Sequence, residues 1–135
     1  MMLARIDRYA LSCLVIASSL WAAWALGTPP SNFSAFPASF SYVIAARFTE
    51  AQWAAFILLF ALLHIVGIAL RIRGRDPGAA RLVGFIGLAG QTVFWLFWSG
   101  SAVIANPDTL FGFCAFLIGV GAAWRLMRYG WTPDV

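Results

Sequence analysis

Lysine is absent from this chain, histidine occurs once, and cysteine occurs twice. Charged residues of both signs together make up only 10%. A water-facing surface needs roughly a quarter of its residues charged, so an ordinary soluble domain is excluded. Acidic residues number five, and none sits inside a long apolar run. That leaves no clustered carboxylates for a metal and no acid at depth to complete a Ser-His-Asp arrangement. A single histidine cannot supply the two axial ligands that a membrane b-type haem usually takes. There is no Cys-x-x-Cys. The expectation is therefore a non-enzymatic protein without cofactor or metal.

The two cysteines give no disulfide framework. Cys13 is shallow in its apolar run and Cys114 lies near the middle of another, about 10 Å apart in depth. A bond between them in one chain is not expected. Both read as small apolar packing residues.

What the chain does have is hydrophobicity: 62% of its 135 residues. Four runs are long enough to cross a hydrocarbon core of about 30 Å as helices. They cover about 9–26, 50–70, 81–104 and 109–127. The fold class expected is all-α, a single polytopic domain of four transmembrane helices in a lipid bilayer. The first run, LSCLVIASSLWAAWALG, is too long for the apolar part of an ordinary signal peptide and reads as a retained span.

The net charge of +4 comes entirely from arginine on the basic side. In a soluble protein it would suggest nucleic acid, but here no nucleic acid is expected. Arg5 and Arg8 precede the first span, Arg71, Arg73, Arg75 and Arg81 flank the turn between the second and third, and Arg125 and Arg128 close the fourth. Eight of the nine arginines thus fall at one set of ends, Arg47 being the exception. They read as topology signals and headgroup contacts with both termini in the cytoplasm. The tryptophans, among them Trp21, Trp24, Trp53 and Trp124, read as interface anchors.

Local signals place the boundaries. Gly27-Thr28-Pro29-Pro30 stops the first helix. Thr49 with Gln52 makes a capping box for the second, and Glu50 complements its dipole. Asp76 is expected to cap the third with Pro77 at its first position, and Asn106 and Pro107 to do the same for the fourth. The loop of residues 28–48 is rich in phenylalanine. Its 39–48 part reads either as a short helix in the outer interface or as an aromatic loop capping the bundle.

His64 is the one ionisable side chain deep in a span, a functional candidate because its charged form is costly in lipid. Gln91, Thr92, Ser18 and Ser19 lie at comparable depth and are expected to form an intramembrane polar layer with it. One reading is a proton-sensitive gate or a polar-ligand site. The other is a neutral histidine bonded across helices to Gln91 or a serine, and the lack of any intramembrane carboxylate favours it. Gly84, Gly87 and Gly90 recur every third residue, and Ala115, Gly119 and Ala123 every fourth. These small-residue faces are helix-packing surfaces, more naturally within one chain than between chains.

The antiporters of the small multidrug type carry a glutamate in their first span, and this chain has none there. The order of features resembles a different group. Arg5-Ile6-Asp7-Arg8-Tyr9 leads into the first span, and an aromatic loop follows. Phe48-Thr49-Glu50-Ala51-Gln52-Trp53 opens the second span. A short arginine turn, a third span ending in aromatics and Asn106-Pro107 before the fourth complete the layout. It is similar to the small four-span, holin-like membrane proteins of tailed bacteriophages and prophages. That resemblance implies a bacterial cytoplasmic membrane and a role in lysis or superinfection. Holins commonly have fewer spans and a strongly charged tail, whereas residues 128–135 carry one acid and one base. The function expected is association with itself or with a membrane partner. Permeabilisation by oligomers, or transport gated at His64, are the alternatives.

Overall fold

The computed structural model of the chain describes residues 2–35, 40, 43, 44, 46–105 and 110–131. Among them every regular element is a helix: α1 (Met2–Gly27), α2 (Asn32–Ala35), α3 (Glu50–Ile72), α4 (Pro77–Ala105) and α5 (Leu110–Trp131). Four are long and apolar enough to cross a membrane, over Tyr9–Gly27, Glu50–Ile72, Pro77–Ala105 and Leu110–Arg128. These match the expected spans to within a few residues. The largest difference is at α4, which starts at Pro77 rather than near Arg81.

The caps explain the boundaries. Thr49 Oγ1 accepts from Gln52 N (3.2 Å) and Gln52 Oε1 accepts from Thr49 N (2.9 Å), closing the capping box on α3. Asp76 Oδ1 accepts from Ala79 N at 3.1 Å, so Pro77 opens α4 where its missing N–H costs nothing. Gly74 turns the chain between them with φ of 63°. The turn expected at Asn106-Pro107 lies outside the described residues.

The helices form an incomplete ring. α4 is packed against α3 on one side and α5 on the other. α1 packs mainly on α3 and touches α5 only lightly. One end of the bundle holds the arginine turn; the other holds the α1–α3 loop. At that loop end Glu50 does more than serve its own helix. Its carboxylate accepts from Ser31 Oγ (2.6 Å), Asn32 N (3.1 Å) and Phe33 N (2.6 Å), so it also caps α2 and pins the loop to α3.

Beyond α2, residues 36–39, 41, 42 and 45 lie outside the described residues, so the choice between an interfacial helix and an aromatic loop over 39–48 falls partly outside them. Phe40 and Val43 are buried and Phe40 joins the core, while Ile44 is exposed. The described part of this stretch therefore plugs the bundle.

Candidate functional site

The backbone sets the site. A Cβ added to Gly67 of α3 would fall on the backbone of Gly84 of α4. One on Gly87 would meet the backbone of His64, and one on Gly90 would enter the ring of Phe60. α3 and α4 thus approach at backbone contact at Gly84 and Gly87, and Gly90 takes the Phe60 ring, along the face expected from sequence, with Gly67 as a partner that the sequence reading passed over. Ala115 and Gly119 likewise face inward, Gly119 against Leu96, whereas Ala123 is only half-buried.

This close approach seals His64 and Gln91, both with no exposed surface. Gln91 Nε2 lies 2.9 Å from His64 Nδ1 and donates to Gly87 O at 3.1 Å. An amide nitrogen can only donate, so this orientation matches a neutral imidazole with Nδ1 as acceptor and the proton on Nε2. Among the described residues, nothing meets His64 Nε2 or Gln91 Oε1, although both are buried.

The other members of the expected polar layer go elsewhere. Ser19 accepts from Trp95 Nε1 at 3.1 Å, joining α1 to α4. Thr92 Oγ1 donates to Leu88 O of its own helix at 2.8 Å. Ser18 is half-buried and faces a groove between α1 and α5. Instead of one layer there are separate links, His64–Gln91 between α3 and α4 and Ser19–Trp95 between α1 and α4. The reason is direction: Ser18 and Ser19 are adjacent, and adjacent residues on a helix point about 100° apart.

Arg125 is a correction. It was expected at the headgroups, yet only 6% of it is exposed, and its Nε donates to the buried Ser12 Oγ at 3.1 Å. It lies near the small-residue stripe of α5 that runs through Ala115, Gly119 and Ala122, which turns it toward α1. Arg73, Arg75, Arg81 and Arg128 are exposed, with Arg128 over the ring of Trp124, and Arg71 is partly buried. Arg5 and Arg8 lie on the first turns of α1.

The tryptophans divide in the same way. Trp21, Trp24 and Trp124 are exposed, as anchors should be, but Trp95 and Trp98 are 3% exposed and sit in the core. Trp53 is half-buried, stacked on Phe97 at 5.5 Å and edge-on to Trp98 at 5.8 Å. Alanines 22, 54 and 115 on the surrounding helices leave the room that these rings fill. Cys13 and Cys114 are free thiols and both are exposed, so neither is an interior packing residue.

The weak contact between α1 and α5 leaves a cleft. It is lined by Ala17, Ser18 and Trp21 of α1, Trp95 of α4, and Phe111, Cys114 and Ile118 of α5, with a volume of about 610 Å³. A smaller recess of about 50 Å³ shares Trp21, Trp95 and Phe111 with it and reaches inward to Phe40, Trp98 and Asn32. Among the described residues no three His, Cys, Asp or Glu side chains cluster as metal ligands would. In comparison with known proteins, the chain matches no family model, no curated protein and no solved structure.

Proposed function

We propose that the protein is a non-enzymatic, four-span membrane protein that acts by association, with itself or with a membrane partner, at the open face between α1 and α5. The observation that carries this reading is the α1–α5 cleft. The glycine faces and most of the intramembrane polar side chains are spent on contacts within the chain, so they are not free to recruit another molecule. The cleft is where the ring of helices is left unfinished. The arginine pattern supports both termini in the cytoplasm, and the phage-like layout supports a bacterial cytoplasmic membrane.

The test is conditional expression in a bacterium, with growth and membrane potential recorded, comparing the natural chain with Cys114→Trp. Cys114 is exposed on the cleft wall, so the indole fills the cleft without disturbing the core. Cells that keep their potential, together with a complex in mild detergent that the variant loses, support association. Abrupt collapse of the potential would favour holin-type permeabilisation instead.

One observation favours a second reading. His64 Nε2 and Gln91 Oε1 are buried polar atoms without partners among the described residues, as a proton-sensitive gate would need. A pH-dependent flux lost in a folded His64→Gln variant would promote that reading.

A further inference from the structure

We infer that the turn between α3 and α4 binds the phosphate of an anionic phospholipid, held by the guanidinium groups of Arg73 and Arg75. This site lies at the arginine end of the bundle and does not depend on what covers the α1–α5 face.

The backbone fixes the turn. Gly74 takes a φ of 63°, its N–H donates to Arg71 O, and Arg75 N donates to Leu70 O, both at 3.1 Å. These are the paired bonds of a Schellman turn, which satisfies the last carbonyls of α3. Arg73, the C-cap, donates its own N–H to Ala69 O at 3.1 Å. The main-chain donors of residues 73–75 are thereby used, and the two arginines stand on a fixed support, one on each side of Gly74.

Their side chains are left over. Both are exposed, and among the described residues neither makes a side-chain hydrogen bond, an ion pair or a ring contact. Arg75 occupies the position from which a Schellman turn often packs an apolar side chain back onto its helix. The turn itself therefore does not call for an arginine there. The one acid in this stretch, Asp76, accepts from Ala79 N through Oδ1 and so serves the first turn of α4. Around it stand Arg71, Arg73, Arg75 and Arg81.

Charge and apolar surface together name the occupant. The arginine end carries eight arginines against three acids, while the loop end carries one arginine against two. Such an excess attracts anions. Lysine would mark topology as well as arginine does, but this chain uses arginine alone, whose planar fork takes two phosphate oxygens at once. Beside these arginines Ile72 is 70% exposed and Leu82 60%. A free phosphate ion offers those aliphatic side chains nothing to rest on. A phospholipid carries phosphate and acyl chain on one molecule, and at the end of a membrane-spanning helix it presents both at the level of the turn. The ammonium of a zwitterionic lipid would be repelled by the same arginines, so the occupant carries net negative charge.

The test is native mass spectrometry of the full chain, released into mild detergent from discs of equal phosphatidylglycerol and phosphatidylethanolamine, with and without added inorganic phosphate. The natural chain is expected to retain phosphatidylglycerol over phosphatidylethanolamine by more than about tenfold. Arg73→Gln with Arg75→Gln should lower that preference by about tenfold or more, at about fivefold for each arginine lost, with unchanged circular dichroism. Arg73→Lys with Arg75→Lys keeps the charge and the topology signal but loses the forks, and should lower the preference about threefold. Arg47→Gln removes a charge at the loop end and should leave it within about twofold. No preference in the natural chain, or an unchanged one in the glutamine pair, would overturn the inference. Equal losses from the glutamine pair and Arg47→Gln would overturn it too, because net charge would then be the cause. So would full preference in the lysine pair, since attraction by charge alone is not a site. Retention of inorganic phosphate in place of the lipid would make the turn a free-anion site and overturn it as well.

Discussion

Gly87 offers the sharpest perturbation. In a soluble helix, replacing an interior glycine by alanine stabilises by about 0.8–1 kcal/mol through backbone entropy. Here the added methyl would sit 2.7 Å from Phe60 O and 2.8 Å from His64 Cα, against backbone that cannot swing aside. The nearest atom, His64 N, is closer still, so bringing every contact out to the ordinary 3.4 Å requires α3 and α4 to part by more than about 0.7 Å. If the side chains move with their helices, the His64–Gln91 contact of 2.9 Å opens beyond about 3.6 Å, which is no longer a hydrogen bond. Overpacking costs about 1–3 kcal/mol and the interhelical bond about 0.6, against the propensity gain of about 1. The net is a destabilisation of about 0.6–2.6 kcal/mol. Gly100 on the same helix is the control, because a Cβ there meets nothing within 4 Å. Gly100→Ala should be neutral or slightly stabilising. Reversible unfolding in mixed micelles, titrated with a denaturing detergent, measures both variants side by side. Should Gly87→Ala prove as stable as Gly100→Ala, the glycine contact between α3 and α4 is not as close as described here.

Other outcomes follow from the same contacts. His64→Gln should keep the fold at a cost of about 1 kcal/mol or less, because the amide retains a donor and an acceptor, whereas His64→Leu strips Gln91 of its partner and should cost about 1–3 kcal/mol in the same unfolding assay. Trp95→Phe should lose the bond to Ser19 and destabilise by about 1 kcal/mol, with no further loss when Ser19→Ala is added, which a double-mutant cycle reads directly. Glu50→Ala removes the acceptor for Ser31, Asn32 and Phe33, so hydrogen exchange of the Asn32 and Phe33 amides should accelerate while that of α4 stays unchanged. Reporter fusions at Gly74 and after Val135 should report cytoplasm, and fusions at Ser34 and Asn106 the opposite side; a periplasmic signal at Gly74 would reverse the proposed orientation.

The four spans and most of their caps were legible because length, arginine placement and capping chemistry are local signals. Which way each helix faces was legible only where a small or polar residue marked it. Leu58 on the exposed surface and Leu88 buried with Val15 of α1 and Ala122 of α5 are equally apolar, so hydropathy does not separate outside from inside. Gly84, Gly87 and Gly90 did mark their face, and the His64–Gln91 contact followed. Arg125 misled because a positive charge at a span end serves topology as readily as packing. Position along the stripe of Ala115, Gly119 and Ala122 was the available clue, since it turns Arg125 inward toward Ser12. Trp95 and Trp98 misled in the same manner: aromatics suit both the interface and the core, but their spacing from Gln91 follows the inward repeat of α4. The α1–α5 cleft had no sequence signal, because it is the lack of a contact between helices remote in the chain.

Photo-cross-linking from the cleft tests the central claim most directly. With Cys13→Ser, a benzophenone maleimide on Cys114 stands in the cleft; with Cys114→Ser as well, the same probe on Leu62→Cys stands on the exposed, lipid-facing side of α3. The account predicts one adduct of defined mass from Cys114 in native membranes, and only a broad spread of lipid adducts from position 62. The same spread from both positions would contradict it, because the α1–α5 face would then be no different from any other surface that the protein turns to the bilayer.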